Sequence, residues 1–451
     1  MKSYLDIIKL VWPLALGMVN NALMQFVDRA FLARESMASL EAIMPSSMLS
    51  LILLSFFQAI VAYSGTFVAT YYGAKNERMC QASCTAGIIL SFIFGAVSLL
   101  FIPLGESVFE AFSHGEEVIS RQKTYFSITV AGGIFLYGQM AVQSYFTGRG
   151  KTQTVFLVNL AGNLLNIVLD PIFIFGLCGL PAMGIAGAAY ATVSSLMLQW
   201  LSLWLILKRE ERLRNDKSFS NDKVKWFSAE MLRLSLRIVR FGALSGLYNV
   251  LNLLSFTIFV FFTGAVGHLE VAVSNACFAV NYLLFAPIEG FALGAATLVG
   301  QAKGAGDFHL ARKSGWRCAL LAVATTAVLL ALTLMFYRPI LSIFAPDDPI
   351  LSGKFIELGF TLLVLMAAWQ VFEVFDTVIS GALKGAGDTS FVLWWMLVVA
   401  FLFWMPLVVF VSKSDNSMPN LWSTMIAYVA VLSAGTLFRW RSGRWLRINI
   451  V

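Results

Sequence analysis

Two aspartates, Asp28 and Asp170, each close a stripe of polar side chains inside otherwise apolar sequence. Asn21, Gln25 and Asp28 follow the helical spacing i, i+4, i+7 and so share one face. Asn159, Asn163, Asn166 and Asp170 follow in steps of four, three and four, again on one face. Gln139, Gln143 and Thr192 add amides and a hydroxyl in neighbouring apolar runs. Each such group costs free energy in hydrocarbon unless it meets a partner or a cavity. Carboxylate, amide and hydroxyl oxygens converging in a dry pocket suit Na+, and Asp28 and Asp170 with the amides of their stripes and the Thr192 hydroxyl could supply them. The same carboxylates could instead carry a proton. For the asparagines a structural alternative stands beside this, hydrogen bonding between helices.

The second half carries different chemistry. Trp369, Glu373, Asp376 and Ser380 share a face, as do Asn275, Tyr282 and Glu289. Ser245, Asn249 and Asn252 lie in a run without an acid. Acids among aromatic rings suit a bulky organic cation, because charge attraction, cation–π contact and apolar contact act together. Such a site would draw on Glu373, Asp376, Glu289, Asn252, Tyr282 and Trp369. The alternative is an interfacial Tyr/Trp belt with acids near the membrane surface.

The elements that must position these residues are membrane helices. The chain is 59% hydrophobic and 13% charged, where a soluble domain is roughly a quarter charged. Apolar runs of about 20 residues, enough to cross a bilayer, recur twelve times between residues 7 and 438. The second, seventh and eighth are long, so tilts or kinks are expected. The first run has no small-residue cleavage site and reads as a retained helix. With the N-terminus in the cytoplasm, most of the 32 Lys and Arg fall on the inner side, and Glu106, Glu110, Glu116, Glu117, Asp347 and Asp348 fall outside. The net charge of +7 then follows from topology rather than from nucleic-acid binding.

Residues 208–234 are charged and divide the chain into six-helix lobes, 1–207 and 235–451. An amphipathic helix is expected around Val224–Leu234, lying on the inner surface. The halves echo one another. Gly148-Arg149-Gly150-Lys151-Thr152 is matched by Gly385-Ala386-Gly387-Asp388-Thr389, and Thr66, Val68, Gly73 and Ala74 by Thr297, Val299, Gly304 and Ala305. In a membrane protein, duplication points to a transporter whose halves rock about a central site. An enzyme has little to work with. Cys80, Cys84, Cys178, Cys277 and Cys318 form no zinc pattern, and His114, His268 and His309 fall in expected loops.

Five segments carry a family resemblance: Val27-Asp28; Asn166 to Asp170 with Pro171; Gly184 through Gly187 to Thr192; Leu298-Val299-Gly300-Gln301; and Gly385 to Thr389. In this order the chain resembles the multidrug and toxic compound extrusion (MATE) family along essentially its whole length. The resemblance implies an all-α polytopic fold, with twelve transmembrane helices in two pseudo-symmetric lobes forming a V. It implies export of organic cations or amphiphilic compounds against inward Na+ or H+, with no cofactor. Asp28, Asn166, Asp170 and Thr192 match the amino-terminal cation site of archaeal and related members. Glu373 matches a tenth-span acid of the NorM-type branch. Asn252 stands where that branch has a seventh-span glutamate, and Glu289 is the neighbouring charge that could substitute.

The expected setting is the cytoplasmic (inner) membrane with both termini inside. The expected partners are membrane lipid and small organic cations or amphiphilic drugs, and the expected unit is a monomer. Two rivals are a flippase for lipids or lipid-linked precursors from the same superfamily, and a membrane-embedded transferase. The first fits cationic cavities better than the acidic spans seen here. The second needs paired acidic motifs at helix ends to hold Mg2+-diphosphate, and Asp170 has no acid four residues on.

Overall fold

The computed structural model describes residues 4–111, 115–213, 228–346, 348–415 and 417–450. Among these residues there is no strand, and twelve helical spans are long and apolar enough to cross a membrane. The protein is a multi-pass all-α membrane protein. The first span is α1 (Tyr4–Glu35); the second is α2 (Met37–Ala62) continued by α3 (Ser64–Gly73). The third is α4 (Glu77–Leu99) with α5 (Ile102–Glu110), and the fourth α6 (Glu116–Ala131) with α7 (Gly133–Gly148). Then come α8 (Thr152–Phe175), α9 (Ile185–Leu213), α10 (Ala229–Thr263) and α11 (His268–Gly304). The ninth span is α12 (Phe308–Met335), followed by the short α13 (Tyr337–Ser342), and the tenth is α14 (Pro349–Gly385). The eleventh, α15 (Thr389–Leu397) and α16 (Met405–Ser414), is joined through a π-helical turn at Val398–Trp404; α17 (Met418–Ser442) is the twelfth.

Most breaks within spans have a local cause. Gly132 joins α6 to α7, and Pro103 opens α5. Pro171 lies inside α8 immediately after Asp170, so the carbonyl of Ile167 loses its usual N–H donor. Gly176 ends α8 in the left-handed region, φ 72°. His268 and His309 are not in loops as expected: they lie in the first turns of α11 and α12. The amphipathic helix expected at Val224–Leu234 falls partly outside the described residues, and from Ala229 onward the chain is already α10.

The chain packs as two compact units. One comprises the residues up to Met18, Val250–Lys303 and Asp307–Ile450; the other is essentially Val19–Asn249. The packing units therefore change hands inside α1 and inside α10. Within the first unit Trp12 meets Phe291 edge-on at 6.3 Å, and a Cβ on Gly290 would come within 2.4 Å of Ala15. Within the second, Phe241 of α10 stacks on Tyr63 at 6.0 Å.

The sequence echoes recur as backbone geometry. Lys75 and Gly306, at matching positions, are both left-handed, with φ 58° and 74°. The next residues, Asn76 and Asp307, both cap a helix by accepting from the backbone N–H three residues on, at 3.1 and 2.8 Å. Gly150 and Gly387 are likewise left-handed, φ 80° and 93°. The bond from Lys151 N–H to Phe146 O is repeated from Asp388 N–H to Leu383 O, both 2.9 Å. Matched turns carry different side chains, as a duplicated and diverged unit would.

Candidate functional site

In the Val19–Asn249 unit, α8 and α9 run antiparallel and close together because glycine marks both crossings. A Cβ on Gly162 would fall 2.2 Å from Gln199, and one on Gly187 would fall 2.5 Å from the Phe173 backbone. The carboxy-terminal half of α1 lies alongside α8 in register, with Asn163 Nδ2 donating to Asn21 Oδ1 at 2.7 Å. Seven residues further on each helix, Asp28 and Asp170 come within hydrogen-bonding reach of one another. Oriented by its neighbours, the Asn166 amide donates to Asp28 Oδ1 at 3.0 Å and accepts from the Thr192 backbone N–H at 3.3 Å. The four residues singled out in the sequence are thus brought together.

Asp170 and Asn166 are fully buried, whereas Asp28 is half-buried. Both Asp170 oxygens lack a hydrogen-bond donor. Two adjacent carboxyl groups without a full set of donors can share a proton or hold a cation. The exposed guanidinium of Arg29 adds a positive field at Asp28. The donor set fits Na+ as well as H+. Asn166 with its Oδ1 turned toward the carboxylates would supply a third oxygen, and the Thr192 hydroxyl, which donates to Ala188 O at 3.1 Å, keeps its lone pairs.

The other half of each polar stripe does something else. Gln139 Nε2 lies 2.7 Å from Gln199 Oε1, 3.1 Å from Asn159 Oδ1 and 3.3 Å from Gln143 Oε1. Asn159 Nδ2 donates to Gln143 Oε1 at 3.2 Å, and Gln199 Nε2 to Asn163 Oδ1 at 3.3 Å and Ser195 Oγ at 3.1 Å. This buried amide network ties α1, α7, α8 and α9 together. Gln199, at its centre, lies four residues after Ser195 and seven after Thr192 on one face of α9.

In the other unit, Trp369 is 3% exposed and donates through Nε1 to Glu373 Oε2 at 3.1 Å. Its ring packs on Trp422 at 5.0 Å, and Trp422 stacks on Phe278 at 4.7 Å. Asp376 is buried and accepts from Thr436 Oγ1 at 3.0 Å. Glu289, Asn252 and Tyr282 are exposed. The charge of Glu289 is felt at Glu373, and Lys384 stands in the field of both Asp376 and Glu289. Lys384 lies in the last turn of α14, beside the close crossing where a Cβ on Gly385 would fall 2.3 Å from Ala296 O. Among the described residues, no cluster of three or more His, Cys, Asp or Glu could hold a metal ion.

The family model MatE matches residues 13–172 and again residues 245–410, one match in each half. The chain belongs to the MatE family. It is a membrane transporter and not an enzyme. This MatE protein is 27% identical over 460 residues to a probable multidrug resistance protein NorM of Thermotoga maritima, covering 98% of this chain and 92% of the relative. It is 25% identical over 402 residues to the probable multidrug resistance protein YoeA of Bacillus subtilis, covering 87% and 82%. Among solved structures, an outward-facing multidrug resistance MATE transporter of the MOP superfamily superposes with a TM-score of 0.84 at 21% identity, covering 97% of this chain and 95% of that one. A MOP superfamily transporter from Pyrococcus furiosus, described as having a binding pocket of reversed polarity, gives 0.82 at 22% identity over 98% and 96%. At these identities the structures speak for the fold.

Proposed function

We propose that the protein is a secondary active efflux antiporter. It exports small organic cations or amphiphilic compounds in exchange for inward Na+ or H+ by alternating access. The observation that carries this reading is the buried Asp170 carboxylate, without a hydrogen-bond donor and beside Asp28 and Asn166. A charged group with that surrounding is costly to leave empty. Binding of Na+ or H+ there offsets the cost and so couples ion entry to a change of state. The exported cation is held by Glu373 and Asp376 among Trp369, Trp422 and Phe278, with Glu289 contributing charge. Coupling follows from linkage: an ion that favours one state of the carrier raises the population able to release the substrate. The relatives named as multidrug resistance proteins support the substrate class.

We further propose that the protein works as a monomer in the cytoplasmic membrane and, on the strength of the Lys and Arg distribution, that both termini and the 208–234 linker lie inside. The test is efflux of a fluorescent cationic dye from proteoliposomes, under an imposed Na+ gradient and an imposed pH gradient in turn. Dye movement driven by one of them is expected. Dye movement by neither, with movement of a fluorescent lipid between leaflets, would overturn the reading in favour of a flippase.

A further inference from the structure

Above the Asp28–Asp170 pair, on the side away from the N-terminus, the Val19–Asn249 unit is closed in two layers. One turn beyond Asp28 on α1 is Leu32, one turn beyond Asp170 on α8 is Ile174, and one turn before Thr192 on α9 is Ala188. These three pack in one buried cluster with Ala42, Ile43, Val118 and Ile185, against which Phe31 and Tyr125 also lie. Leu32 and Ala42 are wholly buried and Ala188 is 3% exposed. The layer is apolar but for the Tyr125 hydroxyl, and Tyr125 feels the charges of both Asp28 and Asp170.

The next layer is polar and made from three helices. Arg121 on α6 donates through Nη1 to Ser39 Oγ at 2.6 Å, Ser36 Oγ at 3.2 Å and both Glu35 carboxylate oxygens at 3.3 Å. Its Nε and Nη2 reach Glu117 Oε1 at 3.2 and 2.9 Å. Ser36 Oγ donates to Glu35 Oε2 at 2.7 Å. Burial alone would raise the Glu35 carboxyl above its ordinary range, but hydrogen bonds from Ser39, Ser36 and Arg121 outweigh it and hold it below. Gly184, at φ 54°, makes room: a Cβ there would lie 3.0 Å from Glu35 Oε1. A cavity of 290 Å3 lined by Glu35, Ser120, Arg121, Thr124 and Gly184 opens at this layer.

We infer that Arg121 and Glu35 form a latch over the Asp28–Asp170 pocket, holding the apolar plug shut and controlling access from the far side. The cavity is lined by the latch side chains and reaches the plug at Ile185. The latch is made of side chains alone, so it can part without unwinding a helix. While it holds, the guanidinium spans the ends of α1, α2 and α6 and keeps Leu32, Val118 and Ala42 together. The role in ion coupling rests on Asp28 and Asp170 being the coupling site; the seal itself does not.

The test separates the two. In protein with Cys80, Cys84, Cys178, Cys277 and Cys318 replaced, Ala188→Cys places a thiol in the plug, and its reaction with an impermeant thiol reagent is timed in nanodiscs. Slow labelling is expected with the latch intact, rising roughly tenfold or more with Arg121→Ser as the open state gains population. The charge exchange Glu35→Arg with Arg121→Glu should bring the rate back to within about twofold of the latched value. Should Arg121→Ser fold poorly, Glu35→Gln, which keeps shape and removes charge, carries the same comparison. Labelling indifferent to the latch residues, or as fast in the charge exchange as in the single variant, overturns the seal. Normal dye export by Asp28→Asn would instead sink the coupling role while leaving the seal standing.

Discussion

At the scale of residues, the acids of the two units differ in what surrounds them. Asp170 meets no N–H or hydroxyl donor and has only the Asp28 carboxyl beside it, whereas Glu373 has the Trp369 indole and Asp376 has the Thr436 hydroxyl. An acid already held in place by a donor and flanked by aromatic rings suits an organic cation better than a small ion. Glu373→Gln should raise the apparent dissociation constant for a cationic dye about tenfold, or about 1.4 kcal/mol, and affect an uncharged analogue of similar shape much less. Equal weakening of both ligands in a binding titration would make Glu373 structural. Asp28, Asn166, Asp170 and Thr192 were legible because helical spacing put three of them on stripes and the family motifs supplied the fourth. The same spacing put Tyr282 and Glu289 on one face of α11, but periodicity says which residues share a face and not what the face meets; both are exposed. Gln199 follows Thr192 and Ser195 on one face of α9, and Lys384 follows Ser380 by one turn on α14. But Ser and Thr hydroxyls such as that of Thr436 commonly bond their own helix, and a lysine near a span end reads as a surface charge. None of Thr436, Gln199 and Lys384 therefore stands out in sequence as a site.

At the scale of elements, the asparagine stripe of α8 divides into two jobs. Asn159 and Asn163 belong to the amide network around Gln139, while Asn166 turns to Asp28. Gln139→Ala leaves buried amide partners unsatisfied at about 1–3 kcal/mol. It should therefore lower the melting temperature while gradient-driven export persists, and lost export at unchanged melting temperature would place Gln139 in the ion site instead. The repeated turns give a second comparison. Lys75 holds a left-handed conformation that Gly306 adopts freely at the matching position, and nothing lies within 4 Å of a Cβ added to Gly306. Since that conformation costs a side-chain-bearing residue about 1–2 kcal/mol, Lys75→Gly should be neutral or stabilising and Gly306→Ala destabilising by about 1 kcal/mol. Thermal unfolding of both variants checks the sign; the same sign in both would contradict the equivalence of the turns.

At the scale of the whole molecule, twelve spans and a duplicated plan were readable from composition and from the Gly-rich echoes, because bilayer thickness fixes helix length. The sharing of α1 and α10 between packing units was not, since both helices are continuous in sequence and divide only by what they touch. The latch was equally hidden: Glu35, Ser39 and Arg121 come from separate helices and meet only in the fold. The basic residues predict that Asn215→Cys, in protein otherwise free of cysteine, is protected in intact cells from an impermeant reagent applied outside. Ready labelling there would reverse the topology. The central claim is that Asp28 and Asp170 together couple ion entry to export. It is tested most directly by gradient-driven efflux of a cationic dye from proteoliposomes holding Asp170→Asn, with Asp28→Asn alongside. The account predicts loss of gradient-driven efflux in both variants while each remains folded and inserted. Near-native efflux by either one would contradict it.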